Sequence, residues 1–239
     1  MQLQSVYVFI SALAVTTASP LRPRCDATPT TSVTYILPTT GGATSLPAPD
    51  TPLKHIVVGH GVQNYTCNAV GVAGTSIGAL AVLHDITDLY PGSGPYALSS
   101  ASWGNLTSQV LRTTSQPIDA SNAVTPFPAP ADLTVSGIPR PLAFIGHHYF
   151  DTTGTPTFSL HDNAELLKAA KVTGITAPST ADRGLTSEGA VDWLLLSDKG
   201  GSVILTKVYR VLTSGGSPAV CGAVGDTQSV PYTAMYWFY

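Results

Sequence analysis

The chain has 239 residues, only 10% of them charged, and a formal net charge of −3. It carries no basic block, which excludes the electrostatic footprint of a nucleic-acid binder. Glycine (22), proline (19) and abundant serine and threonine suit strands and turns better than long helices.

The chain opens MQLQSVYVFISALAVTTASP. Val6 to Val15 form an apolar run followed by small residues, the pattern of a secretory signal although a basic leader is lacking. The run is short of the ~20 residues a membrane span needs. We therefore expect a signal peptide over 1–18 and a secreted, extracellular product with no membrane contact after cleavage. Residues 19–52, rich in Pro and Thr, read as an N-terminal arm with one β-like run at Val33–Leu37. Residues 53–239 read as a single β domain. Asn64-Tyr65-Thr66 and Asn105-Leu106-Thr107 are glycosylation sequons, consistent with export. Cys25, Cys67 and Cys221 allow one disulfide in an oxidising compartment, and spacing does not choose among the three pairings.

Strand-like runs recur at His55–Cys67, Ala79–Ile86, Ala143–Phe150, Val191–Leu196, Ser202–Leu212 and Val230–Tyr239. Between Pro117 and Pro141 six prolines preclude a central strand, so this segment reads as a long covering loop. One short helix is expected near 163–171. Asp162 or Asn163 would cap it, lysines occupy its last turn, and Gly174 follows as a stop. Sustained βα alternation is missing. The fold expected is all-β, a single antiparallel barrel or sandwich.

Strand parity sharpens the reading. If Asn64 carries a glycan, Val62 and Thr66 face outward with it, and Gln63, Tyr65 and Cys67 face inward. An inward glutamine needs partners for its amide, in a structural network or in the wall of a pocket.

Gly74-Thr75-Ser76-Ile77-Gly78 fits the G-x-S-x-G elbow of α/β-hydrolases. That elbow requires a parallel sheet with crossover helices, and only one helix is expected. We read Asn68–Gly78 as a hairpin loop and Ser76 as a chance match. Pro91 and Pro95 turn a degenerate G-x-G-x-x-A into a surface turn, so no nicotinamide site and no other cofactor is expected. His147 and His148 are strand neighbours on opposite faces and cannot both ligate one metal. His161-Asp162 could add a ligand, but three must converge for zinc, and no metal site is expected. Trp103, Trp193 and Trp237 read as core, with sugar stacking the functional alternative. Asp192, inside the apolar run Ala190–Leu196, must be paired or line a polar cavity.

Several runs together resemble the secreted domain-of-unknown-function 3455 family of fungi and bacteria. They are Gly61-Val62-Gln63-Asn64-Tyr65-Thr66-Cys67, Gly146-His147-His148-Tyr149-Phe150 with Pro156-Thr157-Phe158, Ala190–Leu196, Tyr209–Pro218, and the closing Val230–Tyr239. The His147-His148-Tyr149-Phe150 form is similar to the fungal branch. The resemblance implies export, one domain, and a bond between Cys67 and Cys221 with Cys25 an addition. It implies no established activity. Some relatives carry a malate dehydrogenase label that these residues do not support.

The expected function is non-catalytic binding of a small molecule or glycan outside the cell. The pocket is expected to be lined by Gln63, Tyr65, His148, Tyr149 and Asp192. One alternative is an extracellular hydrolase or oxidoreductase with His147 or His148 as general base and Asp192 orienting it. The other is a wall-associated structural protein with no pocket.

Overall fold

A computed structural model describes residues 33–239 except residue 43. The expected signal peptide and Cys25 lie outside the described residues. Eight antiparallel strands close into a barrel in consecutive order. They are β1 (His55–Thr66), β2 (Thr75–Asp85), β3 (Ala143–Phe150), β4 (Pro156–Leu160), β5 (Glu165–Ile175), β6 (Trp193–Asp198), β7 (Lys207–Gly215) and β8 (Thr227–Phe238). The first and last strands pair along their whole length, His55 opposite Phe238 and Thr66 opposite Thr227, so no edge is left open.

Period-two alternation sorts the side chains. Val57, Ala81, Leu83, Phe158, Leu160, Leu167, Leu196, Val208, Tyr232, Tyr236 and Phe238 fill the interior. Ile56, Val58, Tyr209, Val211, Met235 and Trp237 face outward, yet they are buried in a second core under a helix. That helix, α1 (Ser100–Thr113), begins at Ser99, whose hydroxyl accepts from Ser102 N at 3.1 Å. It lays Trp103, Leu106, Thr107, Val110 and Leu111 on the barrel wall, the i, i+3, i+4, i+7, i+8 spacing of a buried helix face. Arg112 on its last turn pairs with Asp182, which holds the Asp182 carboxyl down at about 2.

The helix expected near 163–171 is corrected: Glu165–Ile175 is strand β5. Its helix-forming residues alternate, with Leu167 and Ala169 inside, and each side of the segment has a ladder partner in β4 or β6. Ladder pairing and burial outweigh helix propensity, which is worth only tenths of a kcal/mol per residue, about 0.7 at most for ordinary residues. The presumed cap is a tight turn in which His161, Asp162 and Asn163 all have positive φ (48°, 54°, 69°), a conformation that cannot start a helix.

The proline-rich stretch is the covering loop its composition suggested. Ile118 and Phe127 shield Val62 and Val82 on the outer face, and the His84 ring bonds Ala131 O at 3.2 Å. Residues 33–37 belong to no strand or helix. Tyr35 and Leu37 pack on the outer core, and Ile36 N donates to the Tyr90 hydroxyl at 3.0 Å. No helix among the described residues is long and apolar enough to cross a membrane.

Cys67 and Cys221 form a disulfide across 154 positions, tying the β1–β2 loop to the β7–β8 loop. Backbone bonds reinforce the junction, Gly71 N to Cys221 O at 2.9 Å and Cys221 N to Val72 O at 2.8 Å. Closing so long a loop restricts the unfolded chain strongly. Replacing both cysteines by alanine is expected to cost about 2–5 kcal/mol, read as a lower denaturant midpoint with a steeper slope, because the freed unfolded chain exposes more surface.

Candidate functional site

The barrel end carrying the disulfide holds a cavity of about 450 Å³. Gln63 and Tyr65 enter from the end of β1, His148 and Phe150 from the end of β3, and Phe158 from β4. Lys171 comes from β5, Asp192 and Leu194 from the start of β6, Arg210 from β7 and Tyr236 from β8. Each is an inward position by parity, which is why residues scattered over 170 positions meet.

At the floor, Tyr232 and Tyr236 share a hydroxyl–hydroxyl bond of 2.9 Å, fully buried. Burial raises the pKa of both phenols, and the Arg210 charge opposes that rise. Gln63, 5% exposed, sets its buried Nε2 near the Tyr232 hydroxyl without a well-formed hydrogen bond. Tyr65 donates to Gly216 O at 2.6 Å, and burial pushes its phenol up to about 12.

His148 stacks on Phe158 with ring centroids 4.0 Å apart. Its Nδ1 lies 2.9 Å from Thr157 O, a pure acceptor, so Nδ1 carries the proton and Nε2 presents a lone pair. Burial holds the imidazole neutral, with its pKa lowered to about 4. Arg210 places Nε and Nη2 on Asp192 O at 3.1 and 2.9 Å, an unusual inward cation braced by backbone. The exposed Lys171 and Asp192 stand at the rim.

Of the residues expected in the pocket, Gln63, Tyr65, His148 and Asp192 are brought together. Tyr149 is corrected: it shares the outer face with His147, because strand neighbours alternate. His147 packs against Phe127 and Phe144 outside the barrel, away from the cavity. His148 and Asp192 border one cavity, yet the orienting partner of His148 is the Thr157 carbonyl, not the Asp192 carboxylate. Ser76 is corrected too. It lies on β2 rather than in the hairpin loop, at the cavity rim, and among the described residues its hydroxyl has no imidazole partner. Sequence reasoning missed Arg210, Lys171 and Tyr236. Arg210 was findable: in Lys207–Gly215 it alternates with the outward Tyr209 and Val211, so it must point inward.

Of the sequon residues, Asn64 is half-buried on the outer face of β1, its Oδ1 accepting from the Ser229 hydroxyl at 2.8 Å, and Asn105 is exposed on α1.

The family model described as "Protein of unknown function (DUF3455)" matches residues 47–239. The chain belongs to this DUF3455 family. No curated protein and no solved structure shows a significant match. The DUF3455 match spans all eight strands, and with them every residue that lines the cavity.

Proposed function

We propose that this DUF3455 protein is exported and binds a small hydroxylated molecule or short glycan in the barrel cavity. The observation that carries the reading is the convergence of Gln63, His148, Asp192 and Arg210 on a roomy cavity, with Gln63 presenting a buried Nε2 that lacks a well-formed hydrogen bond. An unmade hydrogen bond of this kind costs roughly 1–3 kcal/mol, and a ligand acceptor would supply the missing partner. Arg210 and Lys171 add donors, while His148 Nε2 and Asp192 add acceptors. Phe150, Phe158 and Tyr236 offer aromatic surface for the apolar face of a sugar-like ring. The volume lies within the ~300–1,000 Å³ usual for small-molecule sites. In this reading Asn64 and Asn105 carry glycans, clear of the cavity mouth.

A hydrolytic or redox role for His148 is less favoured. A base with a pKa near 4 is poorly matched to neutral conditions, where catalytic pKa values lie near the working pH. A wall protein without a pocket does not account for an inward arginine beside an open cavity.

Calorimetric titration with mono- and disaccharides and small hydroxy acids tests the proposal. A ligand bound by the wild type should lose about ten- to a hundredfold in affinity on Arg210→Met. Gln63→Leu should weaken binding while leaving the melting temperature unchanged or higher, because an orphaned buried donor is removed. Folded protein that binds nothing in the panel, together with a Gln63→Leu variant that melts earlier, would assign these residues to structure alone.

A further inference from the structure

The other end of the barrel bears a second group of polar side chains. His55 opens β1, Asp85 closes β2 and Glu165 opens β5, all at inward positions of the alternation. His161 joins them from the β4–β5 turn. We propose that His55, Glu165 and His161 form a site for a divalent cation of the zinc class, with Asp85 as the outer carboxylate.

The geometry supports this at three levels. First, one ligand atom each of His55, His161 and Glu165 fall within 4.8 Å of one another, with His55 Nε2 and Glu165 Oε2 3.0 Å apart. Zinc bonds of about 2.0–2.2 Å at tetrahedral angles put ligand atoms roughly 3.3 Å apart. The His55–Glu165 edge is thus already near its bound length. The exposed His161 has only to swing inward by a modest rotation of its side chain.

Second, the far ring nitrogen of His55 faces a carboxylate, Nδ1 to Asp85 Oδ2 at 3.6 Å. Closing that gap to hydrogen-bond distance would give the carboxylate–histidine–metal arrangement, which turns Nε2 toward the cation. Glu165 and Asp85 together balance a dication, and two imidazoles with one carboxylate is a zinc donor set.

Third, the turn that presents His161 runs through three successive non-glycine residues at positive φ. Such conformations persist only where surrounding structure over-determines them, and they gather at ligand sites. His161 and Asp85 also border an open groove with Tyr35, Ser93 and Arg140, on the side from which water or a small ligand would approach. This site is independent of the cavity at the opposite end.

The test uses the full chain, produced without a histidine tag and freed of metal by chelator. Titration with zinc should give one equivalent bound and a higher melting temperature. Cobalt(II) should give the visible bands of four-coordinate nitrogen–oxygen ligation. Both should be lost in His161→Asn, which keeps a residue tolerant of positive φ in the turn, and in Glu165→Gln. Asp85→Asn should weaken zinc about 10–100-fold while retaining stoichiometry. Absence of binding in folded wild-type protein overturns the site, as does binding that survives both ligand substitutions.

Discussion

Gly61→Ala is expected to leave the chain unable to reach a stable fold, and Gly146→Ala to do nearly the same. A methyl at Gly61 would sit 1.8 Å from Leu80 O and 2.6 Å from Ala81 Cα, and one at Gly146 would sit 2.0 Å from Ser159 O. Neither glycine has a positive φ, so space decides, not backbone conformation. Strands close into this barrel by coiling, and at these inward positions the neighbouring backbone occupies the place of a side chain. Ordinary overpacking costs about 1–3 kcal/mol because side chains yield. Here the obstacle is main chain held in a ladder, and the cost should exceed that range. Gly104 is the control. It lies in α1 with nothing within 4 Å of an added methyl, so Gly104→Ala should stabilise by about 0.5–1 kcal/mol. Soluble yield and denaturant melts of the three variants check the contrast. A Gly61→Ala protein as stable as the wild type would mean the barrel is less tightly wound at this point.

Acidification should destabilise the fold from about pH 6.5 downward, starting above the ordinary carboxylate range. His60 and His148 are almost fully buried, and burial lowers both from 6.5 to about 4. His84 and His147 shift the same way for the same reason. Between pH 6.5 and about 4 the unfolded chain binds protons that the folded chain refuses. Stability is therefore fully present above 6.5 and falls as pH drops through this window. Two and a half pKa units correspond to roughly 3 kcal/mol for each of His60 and His148. His55 works in the opposite sense: the Asp85 carboxylate raises its pKa, so its contribution is whole below 6.5 and is lost as pH rises through the folded value. Unfolding free energies measured from pH 8 to pH 4 should fall steeply on the acid side. His60→Gln and His148→Gln should each flatten that fall. An acid limb of unchanged steepness in both variants would mean that these imidazoles accept protons within the fold.

The cavity residues show how far a linear pattern reaches. Gln63 and Tyr65 could be placed inside because Asn64 lies between them and strands alternate. The same rule separates His147 from His148, and applied consistently it removes Tyr149 from the pocket and adds Arg210. The helix was harder. Trp103, Leu106, Thr107, Val110 and Leu111 carry a 3.6-residue period, but Gly104 and the serines and threonines around them obscure it. Glu165–Lys171 has the better helix composition and is a strand, because burial and ladder partners lie elsewhere in the chain.

Alternation of apolar and polar residues, punctuated by glycine and proline, determined by itself that this chain would be all-β and which side chains of a strand would share a face, since both follow from local backbone geometry. Tertiary structure alone decided that the sheet closes, that a helix rather than solvent covers one outer face, and that His55, Asp85, Glu165 and His161 meet at one end while Gln63, His148 and Arg210 meet at the other. Those outcomes depend on register between strands far apart in sequence, and register is set by the packing of the whole barrel.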